Sequence, residues 1–140
     1  MNQQQMILVI DGQGGGIGKS IVEQLKKQLP HIFIRALGTN SLATSRMIKA
    51  GADDGATGEN AIVINAKRAD VIIGAMGIVM PNAILGELTP KMAQAIASSE
   101  AIKILLPIDR CQTRIVTLQE GTMAQYIQRA VEMVEEILSV

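Results

Sequence analysis

Aromatic side chains are almost missing from this chain of 140 residues, which has no tryptophan, one tyrosine and one phenylalanine. Its interior must therefore be aliphatic, and the eight methionines read as core filler. The single cysteine, Cys111, excludes an internal disulfide. It falls in a turn after an expected strand, where an inert free thiol is the plainer reading and a reactive one the alternative. The first residues, Met1-Asn2-Gln3-Gln4-Gln5, lack the basic start and apolar run of a signal peptide, so a reducing cytoplasm is the expected compartment. Charge of one sign is also lacking: thirteen basic and thirteen acidic residues cancel, and the basic ones are scattered. With no stripe to neutralise a phosphate backbone, nucleic acid is not expected as a partner. No His/Cys/Asp/Glu group has the spacing of a metal site, and His31, after Pro30, reads as a surface turn residue. The uncharged stretch from Val71 to Gly86 is shorter than the ~20 apolar residues of a membrane span. It is interrupted by Gly74, Gly77, Pro81 and Asn82, so no membrane is expected either.

Glycine is abundant, by contrast, and concentrated at one place. The run Ile7-Leu8-Val9-Ile10-Asp11-Gly12-Gln13-Gly14-Gly15-Gly16-Ile17-Gly18-Lys19-Ser20 is an apolar strand passing through five glycines into a helix. Glycine admits positive φ and close approach, while a helix start offers unpaired N–H groups and the positive end of the dipole. The expectation is a phosphate cradle formed by Asp11, Gly12, Gly14, Gly15, Gly16, Ile17, Gly18 and Lys19.

The spacing narrows the type of cradle. The dinucleotide pattern G-x-G-x-x-G fails, since Ile17 or Lys19 falls where its third glycine belongs. The Walker pattern G-x-x-x-x-G-K-[ST] fits Gly18-Lys19-Ser20 but needs a glycine at Gln13. The pattern Gly12-x-x-x-Gly16-Ile17-Gly18 is complete, and it resembles the G-x-x-x-G-x-G turn of short-chain dehydrogenases. That resemblance implies a wrapped NAD or NADP pyrophosphate. The family's Tyr-x-x-x-Lys pair is absent, because the only tyrosine, Tyr126, is followed four places later by Ala130. Gly74-Ala75-Met76-Gly77 is faintly similar to the family's Asn-Asn-Ala-Gly segment, without either asparagine.

Strand-like and helix-like segments alternate along the rest of the chain. Strands are expected at 6–10, 32–37, 71–73 and 103–106, with a fifth at an edge from Arg114 to Leu118. Helices are expected from Ile17 to Leu29, from Asn40 or Ser41 to Lys49, from Glu59 to Lys67, from Thr89-Pro90 to Ser98, and along the stripe Met123 to Leu138. Alternation of this kind predicts one doubly wound, Rossmann-like α/β domain spanning 1–140, with a mostly parallel sheet and helices on both faces. At this length and 48% hydrophobic composition such a domain buries roughly two thirds of its unfolded surface.

Ligands of such sheets bind outside the carboxyl ends of the strands. That adds the turns 38–41, 74–77 and 107–112, with Thr39 and Asn40, and the helix entry bearing Gly58 and Asn60. An NAD enzyme carries Asp or Glu about twenty residues past its loop, where this chain has Gly38-Thr39-Asn40-Ser41, so NADP is favoured over NAD. Asp11 has three roles open to it: ordering the loop, which ranks first, pairing with Lys19, or holding magnesium beside a nucleotide. The alternative function is P-loop-like phosphoryl transfer on a magnesium nucleotide through Lys19 and Ser20, though no carboxylate ends a second strand. A third reading is a structural subunit with no ligand, forming a homo-oligomer through an apolar surface at Ile78-Val79-Met80, a segment that reads equally as core.

The segments Asp11 to Lys19, Ala36 to Asn40, Gly55 to Ala61 and Leu88 to Ala93 together are similar to a family of short bacterial proteins, domain of unknown function 3842. The likeness runs over nearly the whole chain. It implies a Rossmann-like fold, brings no activity with it, and makes the missing Tyr-x-x-x-Lys pair a feature of the type.

Overall fold

The computed structural model describes residues 4–108, 112–118 and 120–139. Five strands form one parallel sheet in the order β3-β2-β1-β4-β5: β1 Met6–Asp11, β2 Phe33–Gly38, β3 Asp54–Thr57, β4 Val71–Ala75 and β5 Ile102–Leu106. The helices are α1 Gly16–Gln28, α2 Ser41–Lys49, α3 Glu59–Ala66, α4 Pro90–Ser98 and α5 Met123–Leu138, with a short 3-10 helix at Met76–Val79.

Alternate residues of β1 feed two separate cores. Ile7 and Val9 pack with Ile21, Leu25 and Met47 of α1 and α2 and with Val131 and Val134 of α5. Leu8 and Ile10 pack on the opposite face with Ile62 of α3 and Met92 and Ile96 of α4. A strand buried on both faces reads as a continuous apolar run, as Met6 to Ile10 does. The doubly wound expectation is met.

Three local expectations differ from the structure. β3 stands where no strand is expected, because its sequence, Asp54-Gly55-Ala56-Thr57, has neither a β-branched run nor alternation. It pairs because Gly55 lacks a Cβ, which would stand 2.8 Å from the Ala36 carbonyl oxygen and 3.0 Å from Ile48. Arg114 to Leu118 is not a strand, and Val116 and Leu118 project wholly into solvent. Ile78, offered as oligomer surface, is 1% exposed, and Val79 and Met80 pack against the second core. Cys111 lies outside the described residues.

Candidate functional site

The order of strands reverses direction between β1 and β4, and a cleft of about 230 Å³ opens above their carboxyl ends. One wall is the loop from Asp11 to Ile17. The other is formed by Ala75, Gly77, Ile78, Ala83, Ile84 and Ile108. The site is thus polar backbone on one side and aliphatic on the other.

Gly15 sits at the N-cap of α1 in the left-handed conformation, φ 72, and brings no side chain to the exposed N–H groups. Asp11, at the end of β1, replaces that cap. Its Oδ2 accepts from Gly18 N–H at 2.6 Å and its Oδ1 from Gly12 N–H at 2.8 Å. Loop ordering is therefore a role Asp11 performs, and Gly18 is used up by it. Gly15 N–H donates to the Gly12 carbonyl at 2.9 Å, which closes the turn. Three N–H groups along the cleft wall, those of Gly14, Gly16 and Ile17, have no partner among the described residues.

The five glycines fall into two groups. A Cβ on Gly12 would run into the Thr39 hydroxyl, one on Gly15 would stand 2.7 Å from the Ala43 Cα, and one on Gly18 would stand 2.9 Å from Asp11 Cβ. Those three are required by packing inside the protein. A Cβ on Gly16 would have nothing within 4 Å, and one on Gly14 would meet only an Arg46 nitrogen at 3.5 Å. These two remain for a ligand.

Two residues of the neighbourhood escaped sequence reasoning. Arg46 of α2 donates to the Gly14 carbonyl at 2.9 Å and so brings a cation to the loop. Glu87, from the segment between the 3-10 helix and α4, reaches across to the end of β2. Its Oε1 accepts from the Thr39 hydroxyl at 2.6 Å, Asn40 Nδ2 at 2.8 Å and Gln13 N–H at 2.9 Å. The Thr39 hydroxyl foremost, then the Gln13 N–H, hold its carboxyl below the ordinary glutamate range against the opposing effect of burial. The expectation that the end of β2 lacks a carboxylate is corrected: it has one, supplied from 48 residues away. The signal was present, since Glu87 is the sole acidic residue between Asp70 and Glu100.

Glu87 is delivered by an unusual backbone. Ile84 (φ 57), Leu85 (φ 52) and Gly86 (φ 88) form a left-handed run, and a β-branched residue there is strained. Ile84 fills the cleft wall, while Leu85 points to solvent.

The remaining expected site residues do not line the cleft. Thr39 and Asn40 are engaged by Glu87, and Asn40 Oδ1 also caps α2 by accepting from Ala43 N–H at 2.9 Å. Gly58, φ 100, is the N-cap of α3 and donates to the Gly38 carbonyl; Asn60 is on the exposed surface of that helix. Lys19 points along α1 to Glu23 at 3.9 Å, with its side chain about half exposed. Ser20 lies with Glu23 and Gln24 in a separate hollow against Met123 and Ile127 of α5. Neither is where a P-loop lysine and hydroxyl would have to be. Among the described residues no group of three or more His, Cys, Asp or Glu could hold a metal, and no helix is long and apolar enough to cross a membrane.

No curated protein matches the chain in sequence. Among solved structures, a universal stress protein in complex with cAMP is similar at 15% identity and a TM-score of 0.42, over 74% of this chain and 97% of that one. A dodecameric FMN-dependent UbiX-like decarboxylase from Escherichia coli O157:H7 is similar at 13% identity and a TM-score of 0.43, over 98% of this chain and 95% of that one. The sequence profile described as "Domain of unknown function (DUF3842)" matches residues 6–139, and the chain belongs to that family.

Proposed function

We propose that this protein binds a phosphate-bearing nucleotide or dinucleotide at the loop from Gly12 to Gly18, and works as a cofactor-binding sensor or subunit. The observation that carries the reading is the set of three N–H groups without a partner among the described residues, on Gly14, Gly16 and Ile17, at the start of α1 and on the wall of one cleft. Donors so placed, at the positive end of a helix of thirteen residues, suit an anion. Arg46 adds a positive charge at the Gly14 carbonyl, and the Asp11 carboxylate accepts from the Gly12 and Gly18 N–H groups. The aliphatic wall opposite suits the flat face of a base or nicotinamide ring.

The test is dye-reported thermal unfolding against NAD, NADP, AMP, ATP with magnesium, GTP and coenzyme A. A ligand at a hundred times its dissociation constant stabilises by about 2.7 kcal/mol. Such a gain raises the midpoint by roughly 5 to 15 °C in a domain of this size. Gly16→Val, which fills the open space at the helix start, should abolish the shift while leaving the protein folded. Equal affinity in that variant would refute the assignment.

A further inference from the structure

Resting on the proposed nucleotide site, we infer that Glu87 is a specificity residue which admits ligands with a free ribose diol and rejects those carrying a 2′-phosphate. The end of β2 lies beside the end of β1, with Gly38 paired in register with Asp11. In sheets of this topology the sugar of a nucleotide whose phosphate sits on the first loop extends toward the end of β2. Here that position is flanked by Thr39 and Asn40, and their donors converge on Glu87 Oε1. The same oxygen accepts from Gln13 N–H, within the phosphate loop itself, so the carboxylate has a fixed place relative to the cradle.

Only one of its two oxygens is consumed. Oε2 has no partner among the described residues, and an ionised carboxylate accepts through both oxygens. A ribose 2′- or 3′-hydroxyl can donate to it. A 2′-phosphate presents only acceptors and negative charge to the same atom, in a partly buried setting where like charges are poorly screened. A side chain from a distant loop thus does what a carboxylate ending β2 does elsewhere.

The experiment compares two pairs of ligands that differ by the 2′-phosphate alone: AMP with adenosine 2′,5′-bisphosphate, and NAD with NADP. Dissociation constants are measured by calorimetry on the wild-type protein and on Glu87→Gln, which keeps an acceptor for the three donors and removes the charge. The wild-type protein should favour the unphosphorylated member by about tenfold or more, and Glu87→Gln should bring the ratio to within about threefold. Equal affinity within each pair of the wild-type protein overturns the inference without needing the variant. A folded Glu87→Gln with an unchanged ratio overturns it as well. Failure of all four ligands also overturns it, and a shift with GTP, ATP or coenzyme A in the wider screen would then show that the phosphate site itself survives.

Discussion

Two adjacent glycines, Gly15 and Gly16, should respond in opposite ways to the same methyl group. At Gly15 an alanine must hold φ 72, and its Cβ would stand 2.7 Å from the Ala43 Cα and 3.1 Å from the Ala43 carbonyl oxygen. The left-handed conformation costs about 1–2 kcal/mol for a residue with a Cβ. Pressing that carbon into backbone that cannot turn aside adds about 1–3 kcal/mol. Gly15→Ala should therefore lose about 2–5 kcal/mol, lowering the midpoint by roughly 6 to 25 °C. At Gly16, the first residue of α1, a new Cβ has nothing within 4 Å and no positive φ to adopt. Gly16→Ala should stabilise by about 0.4–1 kcal/mol, because the unfolded chain loses freedom. Circular dichroism melts of the two variants beside the wild type measure the difference, and urea titration gives it as free energy. A Gly16→Ala as unstable as Gly15→Ala would refute the division of the loop into packing glycines and ligand glycines.

Other consequences are separable. Lys19→Ala should leave ligand affinity within about twofold and stability within about 0.5 kcal/mol, since its one ion pair is exposed and long; a collapse of binding would revive the P-loop reading. Arg46→Ala should weaken phosphate-ligand affinity by about threefold to tenfold, an effect that shrinks in high salt; salt-independent loss would point to a purely structural role. Because the Glu87 carboxyl is held below its usual range, its stabilising contribution is complete above the unfolded value of about 4.3 and is lost as pH falls through the lower folded value. Glu87→Gln should flatten the acid limb of a stability-against-pH curve, and an unchanged limb would deny that the carboxylate clips the loop.

Most of the architecture was legible because burial on both faces of a parallel sheet writes itself as apolar runs, and helices write themselves as periodic stripes. Thr89 shows how much a cap discloses: it accepts from the N–H three residues on, at 3.1 Å, where its helix starts. β3 was illegible for the opposite reason, being specified by the absence of side chains at Gly55 and not by any pattern. Arg114 to Leu118 carries three consecutive β-branched residues, Ile115, Val116 and Thr117, yet local preference alone does not make a strand. In the site, the loop was visible and its division of labour was not. Glycine count cannot say which Cβ would collide, and the contact of Glu87 with Gln13 spans 74 residues.

The left-handed turn at Ile84, Leu85 and Gly86 makes one side of the cleft a loaded spring. Each non-glycine residue there stores about 1–2 kcal/mol that is returned when the turn relaxes, and the turn's own backbone bonds, such as Gly86 N–H to the Asn82 carbonyl and Leu88 N–H to the Ala83 carbonyl, keep it wound together with those of the Glu87 side chain. Letting it go exposes Ile84 but breaks no strand pairing. Amide protons from Asn82 to Leu88 should accordingly trade with deuterium through a private opening, far sooner than those of β1, and a ligand can reach its seat with the sheet standing still.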